Sequence, residues 1–157
     1  MKTLIVYATR TGMTRRAAEI LAEALNADTV MITDGKDRRG FFGFCAAAVA
    51  GLRKTLPSLL PVGFPAPLGS YDRVVVCTPV WSENVCPLAR AFLTAYREQL
   101  PPTVCYLVTH MAPAPYDKPI AALDSLTGKP ATAVLSVQTK NHDWEADVRA
   151  YAKSLTA

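Results

Sequence analysis

Between the apolar run Leu4-Ile5-Val6-Tyr7 and the helical run Arg15-Arg16-Ala17-Ala18-Glu19-Ile20-Leu21 lies a hydroxyl-rich turn, Thr9-Arg10-Thr11-Gly12-Met13-Thr14. Threonines, a glycine and an arginine at a strand-to-helix junction are suited to holding an anion. A helix N-terminus leaves about four backbone N–H groups without intrahelical partners and carries roughly half a positive charge. A phosphate placed there gains hydrogen bonds and field together. No Glu or Gln stands three residues after any of these threonines, so a reciprocal capping box is missing. Arg15 and Arg16 in the first turn also oppose the helix dipole. A bound anion would account for both features. An ordinary threonine cap beside a glycine turn is the competing explanation.

Two further turns carry chemistry. Thr78-Pro79-Val80-Trp81-Ser82-Glu83-Asn84 places an indole directly after a densely β-branched run. Trp81 is either a stacking face for a planar ligand or a core tryptophan, and its polar neighbours favour the stacking face. His110-Met111-Ala112-Pro113-Ala114-Pro115-Tyr116 follows another apolar run. Its histidine is either a proton donor near neutral pH or a loop residue that faces water or caps a neighbour. His142, between Asn141 and Asp143, is expected to be structural at the start of the last helix. Cys45, Cys77, Cys86 and Cys105 show no C-x-x-C or Cys/His ligand spacing, which argues against a zinc site or a dithiol motif. Cys77 and Cys105 lie in apolar runs and are expected to be small buried hydrophobes.

The elements that must position these turns alternate along the chain, strand-like runs with helical patterns, the signature of β-α units and an α/β fold with a parallel sheet. Strands are predicted at 3–8, 29–32, 73–78, 104–109 and 131–137, and helices at 13–25, 40–52, 87–99, 117–126 and 143–155. Nearly continuous apolar character in the strands suits a sheet covered on both faces. Trp144, Val148, Tyr151, Ala152 and Leu155 recur at helical spacing and read as core. The run 40–52 is apolar nearly all round, with basic residues at both ends. It reads either as a helix on the sheet with snorkelling ends or as a docking surface for a second copy or a partner. The proline-rich stretch 57–69 reads as a long crossing loop.

With 157 residues, half of them hydrophobic, the chain is expected to form a single domain spanning 1–157. A net charge of +4, without a basic stripe interleaved with aromatics, argues against nucleic acid and for acidic partners or anionic small molecules. No opening stretch has the make-up of a secretory signal, and the longest apolar run falls short of the ~20 residues that span a bilayer. A cytoplasmic protein without a membrane span is the expectation.

The turn Thr9-Arg10-Thr11-Gly12-Met13-Thr14, together with Tyr71-Asp72-Arg73-Val74-Val75-Val76-Cys77-Thr78-Pro79-Val80-Trp81, resembles the flavodoxin family, the small FMN-binding α/β proteins. The first matches the family's hydroxyl-x-Thr-Gly-x-Thr phosphate loop, with Met13 where asparagine is usual. The second is similar to a single-domain branch that carries Thr-Pro-Val-Trp at the end of the third strand, and the segment 40–56 is similar to the same branch. The resemblance implies a flavodoxin-like three-layer sandwich with five parallel strands in the order 2-1-3-4-5 and FMN at the carboxyl edge. Thr9, Thr11, Gly12 and Thr14, with the backbone of Arg10 and Met13, would hold the phosphate. Thr78, Pro79, Val80 and Trp81, then Ser82, Glu83, Asn84 and Val85, would border the ribityl chain and ring. Thr109, His110, Met111 and Ala112 would form the far side of the ring site.

Three functions follow. The first is an electron carrier or small oxidoreductase that works through non-covalent FMN, with a redox partner protein or small acceptor. The second is an NAD(P)H-dependent quinone-type reductase, whose nicotinamide site would need a homodimer because no G-x-G-x-x-G fingerprint is present. The third is a non-redox module, motivated by prolines in the third loop that remove amide donors. A basic chain penalises a negatively charged reduced flavin less than an acidic one does. A redox titration of the flavin-loaded protein is therefore expected to give a midpoint less negative than that of an acidic flavodoxin; an equally low midpoint refutes the charge argument.

Overall fold

The computed structural model describes residues 1–113, 115–140 and 143–157. Ala114, Asn141 and His142 lie outside the described residues, and with them the expectation for His142. The chain order is β1 (Thr3–Tyr7), α1 (Met13–Leu25), β2 (Asp28–Met31), α2 (Gly40–Arg53), β3 (Arg73–Trp81) and β4 (Asn84–Val85). It continues with α3 (Pro87–Tyr96), β5 (Thr103–His110), α4 (Asp117–Thr127), β6 (Ala133–Gln138) and α5 (Trp144–Ser154). Five strands run parallel in the spatial order β2-β1-β3-β5-β6. This is the 2-1-3-4-5 order, counting parallel strands only.

The apolar strands divide their side chains between two cores, because successive residues point to opposite faces. Leu4, Val6, Val74, Val76, Tyr106 and Val108 join Phe92 and Leu93 of α3 and Leu123 of α4. Ile5, Val75, Cys77, Cys105 and Leu107 join Ala17 and Leu21 of α1 and Val148 and Tyr151 of α5. Burial pushes the Cys77 and Cys105 thiols up, and holds Cys86 up at about 12, so none of the three is a ready thiolate. Trp144, Val148, Tyr151 and Ala152 are buried where the helical spacing placed them.

One expectation is corrected. The third strand does not stop at Thr78 but continues to Trp81 and folds back antiparallel onto β4, pairing Val80 with Val85 and Trp81 with Asn84. The turn residues Ser82 and Glu83 both have positive φ, the signature of a tight hairpin turn, here built without glycine. The stretch after α2 is the expected long crossing loop, and it packs against the core. Leu59, Val62, Phe64 and Ala66 pack on the core, and Phe64 meets Tyr96 edge-on at 5.2 Å.

Helix α2 approaches the sheet through Gly43, Ala47 and Gly51, its only buried residues. A methyl group at Gly51 would overlap the backbone carbonyl of Trp81, so this glycine sets how closely α2 meets the hairpin. Ala ordinarily stabilises a helix interior by about 1 kcal/mol relative to Gly. Gly51→Ala is instead expected to cost ~1–3 kcal/mol by forcing the two elements apart. A lowered urea midpoint is the outcome expected; a raised one would show that the contact is loose.

Candidate functional site

Helix α1 begins at Gly12, whose φ of 101° and lack of a side chain leave the entrance open: nothing lies within 4 Å of where a Cβ would be. No side chain caps the helix. The Gly12 amide donates to Thr9 Oγ1 at 2.9 Å, which folds the loop on itself. Arg16 is the first residue whose amide reaches back, to the Gly12 carbonyl. The amides of Met13, Thr14 and Arg15 find no acceptor among the described residues. These are the unsatisfied donors that an anion would take up.

The arginines need a different account from the one the sequence invited. Arg15 pairs with Glu19 at 3.1 Å, and Arg16 forms a two-point bridge to Glu145 of α5, which also takes Arg149. Both therefore have carboxylates of their own. Arg10 is the cation that faces the site. Its Nη1 donates to the Arg38 carbonyl at 3.3 Å, its guanidinium lies 5.3 Å from the Phe44 ring, and no carboxylate pairs with it among the described residues.

Beyond this loop the carboxyl edge of the sheet opens into a cleft with two adjoining arms of about 270 and 260 Å³. Arg10, Val80, Trp81, His110 and Met111 line both arms. Thr9, Thr11, Met13, Thr14, Pro79 and Thr109 complete the expected part of the first, and Ser82, Glu83 and Ala112 border the second. The three separate turns are thus brought together.

Four expected site residues work elsewhere, the first being Val85, which is buried in the core and pairs with Val80 across the hairpin. Gly12 lines neither arm and acts through its backbone geometry. Thr78 is buried and its hydroxyl donates to the Pro79 carbonyl at 3.0 Å. Asn84 is buried in the hairpin, its side-chain amide donating to the Ser82 carbonyl at 2.7 Å. The Asn84 amide thereby braces the β3–β4 turn. Thr14 is also partly committed: its hydroxyl shares a hydrogen bond of 2.7 Å with Thr109, tying the first loop to the end of β5.

Trp81 corrects the expectation of an open stacking platform. The side chain is only 5% exposed and belongs to the core beneath α2. The Arg38 guanidinium lies 5.3 Å from the centroid of its ring and is itself held by Asp34, Nη2 to Oδ2 at 2.6 Å. That bond is the main cause of a lowered Asp34 pKa. Trp81 therefore forms part of the cleft wall, with an indole N–H that has no partner among the described residues.

His110 is the last residue of β5 and is buried. Nδ1 lies 2.7 Å from the Ala112 carbonyl and Nε2 lies 3.0 Å from Ser136 Oγ. A carbonyl only accepts, so Nδ1 carries the proton and the neutral ring takes the serine hydroxyl at Nε2. The Tyr116 ring covers it at 4.1 Å between centroids. This is the capping alternative, not a histidine facing water.

Other lining residues escaped sequence reasoning. Thr139 and Lys140 follow β6 on the same edge, and the rule that ligands bind beyond the carboxyl ends of parallel strands could have found them. Phe44, Ala47, Ala48 and Tyr116 enter the second arm only because α2 and the fifth-strand loop dock there. No local signal marks them.

No family model and no curated protein matches the sequence. Solved structures do match. A candidate flavoprotein from Bacteroides uniformis aligns with a TM-score of 0.75 at 20% identity, covering 97% of each chain. A flavoprotein from Lactobacillus acidophilus in complex with FMN gives 0.70 at 18% identity, over 86% of this chain and 92% of the other. The fold is that of the flavodoxins. Two-electron reduced flavodoxin from Megasphaera elsdenii matches at 0.59 and 15% identity, over 97% and 98% of the two chains. In this flavodoxin-like chain the cleft lies at the switch point between β1 and β3, where strand order reverses.

The buried histidine makes the site pH-sensitive. Burial lowers the His110 pKa from its ordinary 6.5, so as pH falls the unfolded chain takes up the proton first. The stability it contributes is intact above pH 6.5 and is lost as pH drops below that and through the depressed folded-state value. Urea midpoints of the wild-type protein are expected to fall as pH drops below ~6.5 more steeply than those of His110→Gln. Parallel curves would remove His110 as the cause.

Proposed function

We propose that the protein binds FMN non-covalently in the cleft and transfers electrons through it. The observation that carries this reading is the uncapped start of α1 opening directly into an apolar cleft at the carboxyl edge of a flavodoxin-like sheet. The residues present fit the group. Unsatisfied amides at Met13, Thr14 and Arg15, the Thr9 and Thr11 hydroxyls, and the unpaired Arg10 side chain suit a dianionic phosphate. Gly12 leaves room for it. Val80, Met111, Phe44 and Ala47 offer an apolar lining for a planar ring, with the edge of Trp81 behind.

Bound flavin supplies reversible one- and two-electron chemistry that no side chain of the cleft offers. The chain's own part is to hold and orient. The Thr14–Thr109 bond fixes the phosphate loop against β5, and His110 holds the Ala112 carbonyl and Ser136 in place. Lys140 brings a second cation to the first arm, in keeping with an anionic ligand. The likeness to an FMN-complexed flavoprotein supports the same choice of cofactor.

Equilibrium binding followed by flavin absorbance tests this reading. The protein is expected to bind FMN in the micromolar range or tighter, and riboflavin, which lacks the phosphate, more weakly. Arg10→Ala is expected to weaken FMN about tenfold or more by removing a charge-assisted contact, while leaving riboflavin nearly unchanged. No binding of either compound overturns the proposal. Bleaching of bound flavin by NADPH alone would favour the quinone-type reductase over the carrier.

A further inference from the structure

Helix α2 is inside out. Its buried face consists of Gly43, Ala47 and Gly51, while the opposite side, at 100° per residue, carries Phe41, Cys45, Val49 and Leu52 with Phe42 beside them. Phe41 is 75% exposed, Phe42 87% and Leu52 66%, and Val49 and Cys45 are also exposed. The small residues are accounted for by the close approach to Arg38 and Trp81. Nothing within the fold accounts for the large ones. Five outward positions of this kind on one helix form an apolar strip, not the scattered exposed side chains that soluble surfaces tolerate.

The charges at the two ends of the strip are in basic excess. From residue 38 to residue 71 the sequence contains no Asp or Glu. Arg38 is tied to Asp34 and Arg39 to Asp37. Arg53 and Lys54 at the helix end form no ion pair among the described residues, and Lys36 before the helix shares with Arg38 the single carboxylate of Asp34. A second copy is a poor occupant. Packed antiparallel, two such helices would set the basic end of one against the basic end of the other; packed parallel, like ends would meet. The acids at the first end, Asp34 and Asp37, are already held by Arg38 and Arg39, so either packing leaves cations in excess at the contact. A protein partner would be met by a rim of mixed polarity, whereas both ends of this strip carry an excess of cations, and Glu83 lies on the cleft side of the helix.

We propose that the outward face of α2 docks on an anionic lipid surface. Phenylalanines and leucine on one side with cations at the ends match an interfacial helix that lies in the headgroup plane. The mode is peripheral, since no described helix is long and apolar enough to cross a membrane. Phe44, Ala47 and Ala48 of the same helix line the second arm of the cleft, so docking would bring that arm beside the lipid. The docking itself does not depend on the flavin.

Co-sedimentation with vesicles tests it, using phosphatidylcholine alone and phosphatidylcholine mixed with phosphatidylglycerol. The protein is expected to bind the anionic vesicles and to release them at high salt, with little binding to phosphatidylcholine alone. Phe41→Ser with Phe42→Ser is expected to reduce binding about tenfold or more. Arg53→Ser with Lys54→Ser is expected to reduce it about fivefold per charge and to flatten the salt dependence. Both pairs of sites are exposed, and unchanged thermal melting establishes that the variants fold. Absence of vesicle binding, or binding that survives the phenylalanine changes, overturns the proposal. So does a dimer in sedimentation equilibrium that the phenylalanine changes dissociate, because a second copy then covers the face.

Discussion

Parallel strands cannot be joined by tight turns, so each connection must leave the carboxyl end of one strand and cross a face of the sheet before re-entering at the other end. In this chain helices make those crossings, covering both faces, and the backbone ladder of β2-β1-β3-β5-β6 is sealed between two apolar cores. The same constraint gathers the loops after β1, β3, β5 and β6 along one edge. The N-terminus of α1 therefore opens on the edge where Val80, His110 and Lys140 emerge, though these residues are far apart in the chain. The cleft is a consequence of strand direction before it is a consequence of any side chain.

What shapes the cleft further is the contact between α2 and the β3–β4 hairpin. Glycine at 43 and 51 lets the helix approach the Arg38 and Trp81 backbones without intervening side chains. The contact buries Trp81, stacks Arg38 against it and leaves Phe44 at the rim beside Arg10. Ser82 locks the arrangement by donating to the Ala48 carbonyl at 2.8 Å. Using small residues for the close approach leaves the large ones outside. The geometry that completes the cleft is thus also the one that presents an apolar strip to the surroundings.

Charges are divided in the same economical way. At α1, Arg15 and Arg16 are committed to Glu19 and Glu145, and the second of these bridges α1 to α5. These exposed pairs contribute little each. They do, however, leave Arg10 as the cation of the first loop that is directed toward the cleft. His110, neutral and doubly bonded, stabilises the third loop, which has prolines where amide donors would otherwise hold the turn.

The sequence by itself determined the alternation of strands and helices, the covering of both sheet faces and the location of the uncapped helix start. Each of these is a local or periodic property: apolar runs of strand length, a 3.6-residue period, and a glycine between threonines at a strand-to-helix junction. Tertiary structure decided what the side chains meet. Trp81 became wall instead of platform because α2 and Arg38 cover it, and Asn84 became a brace because Ser82 and Glu83 turn the chain back with positive φ. This residue pair does not advertise a hairpin, since Ser-Glu lacks the glycine or asparagine that ordinarily marks such a turn. The partners of Arg15 and Arg16 illustrate the same limit: an (i, i+4) acid can be read from spacing, but Glu145 lies 129 residues away and is brought near only by packing of α5 on α1. A sequence records which groups are present and at what period; which of them remain free to bind is decided by long-range contacts.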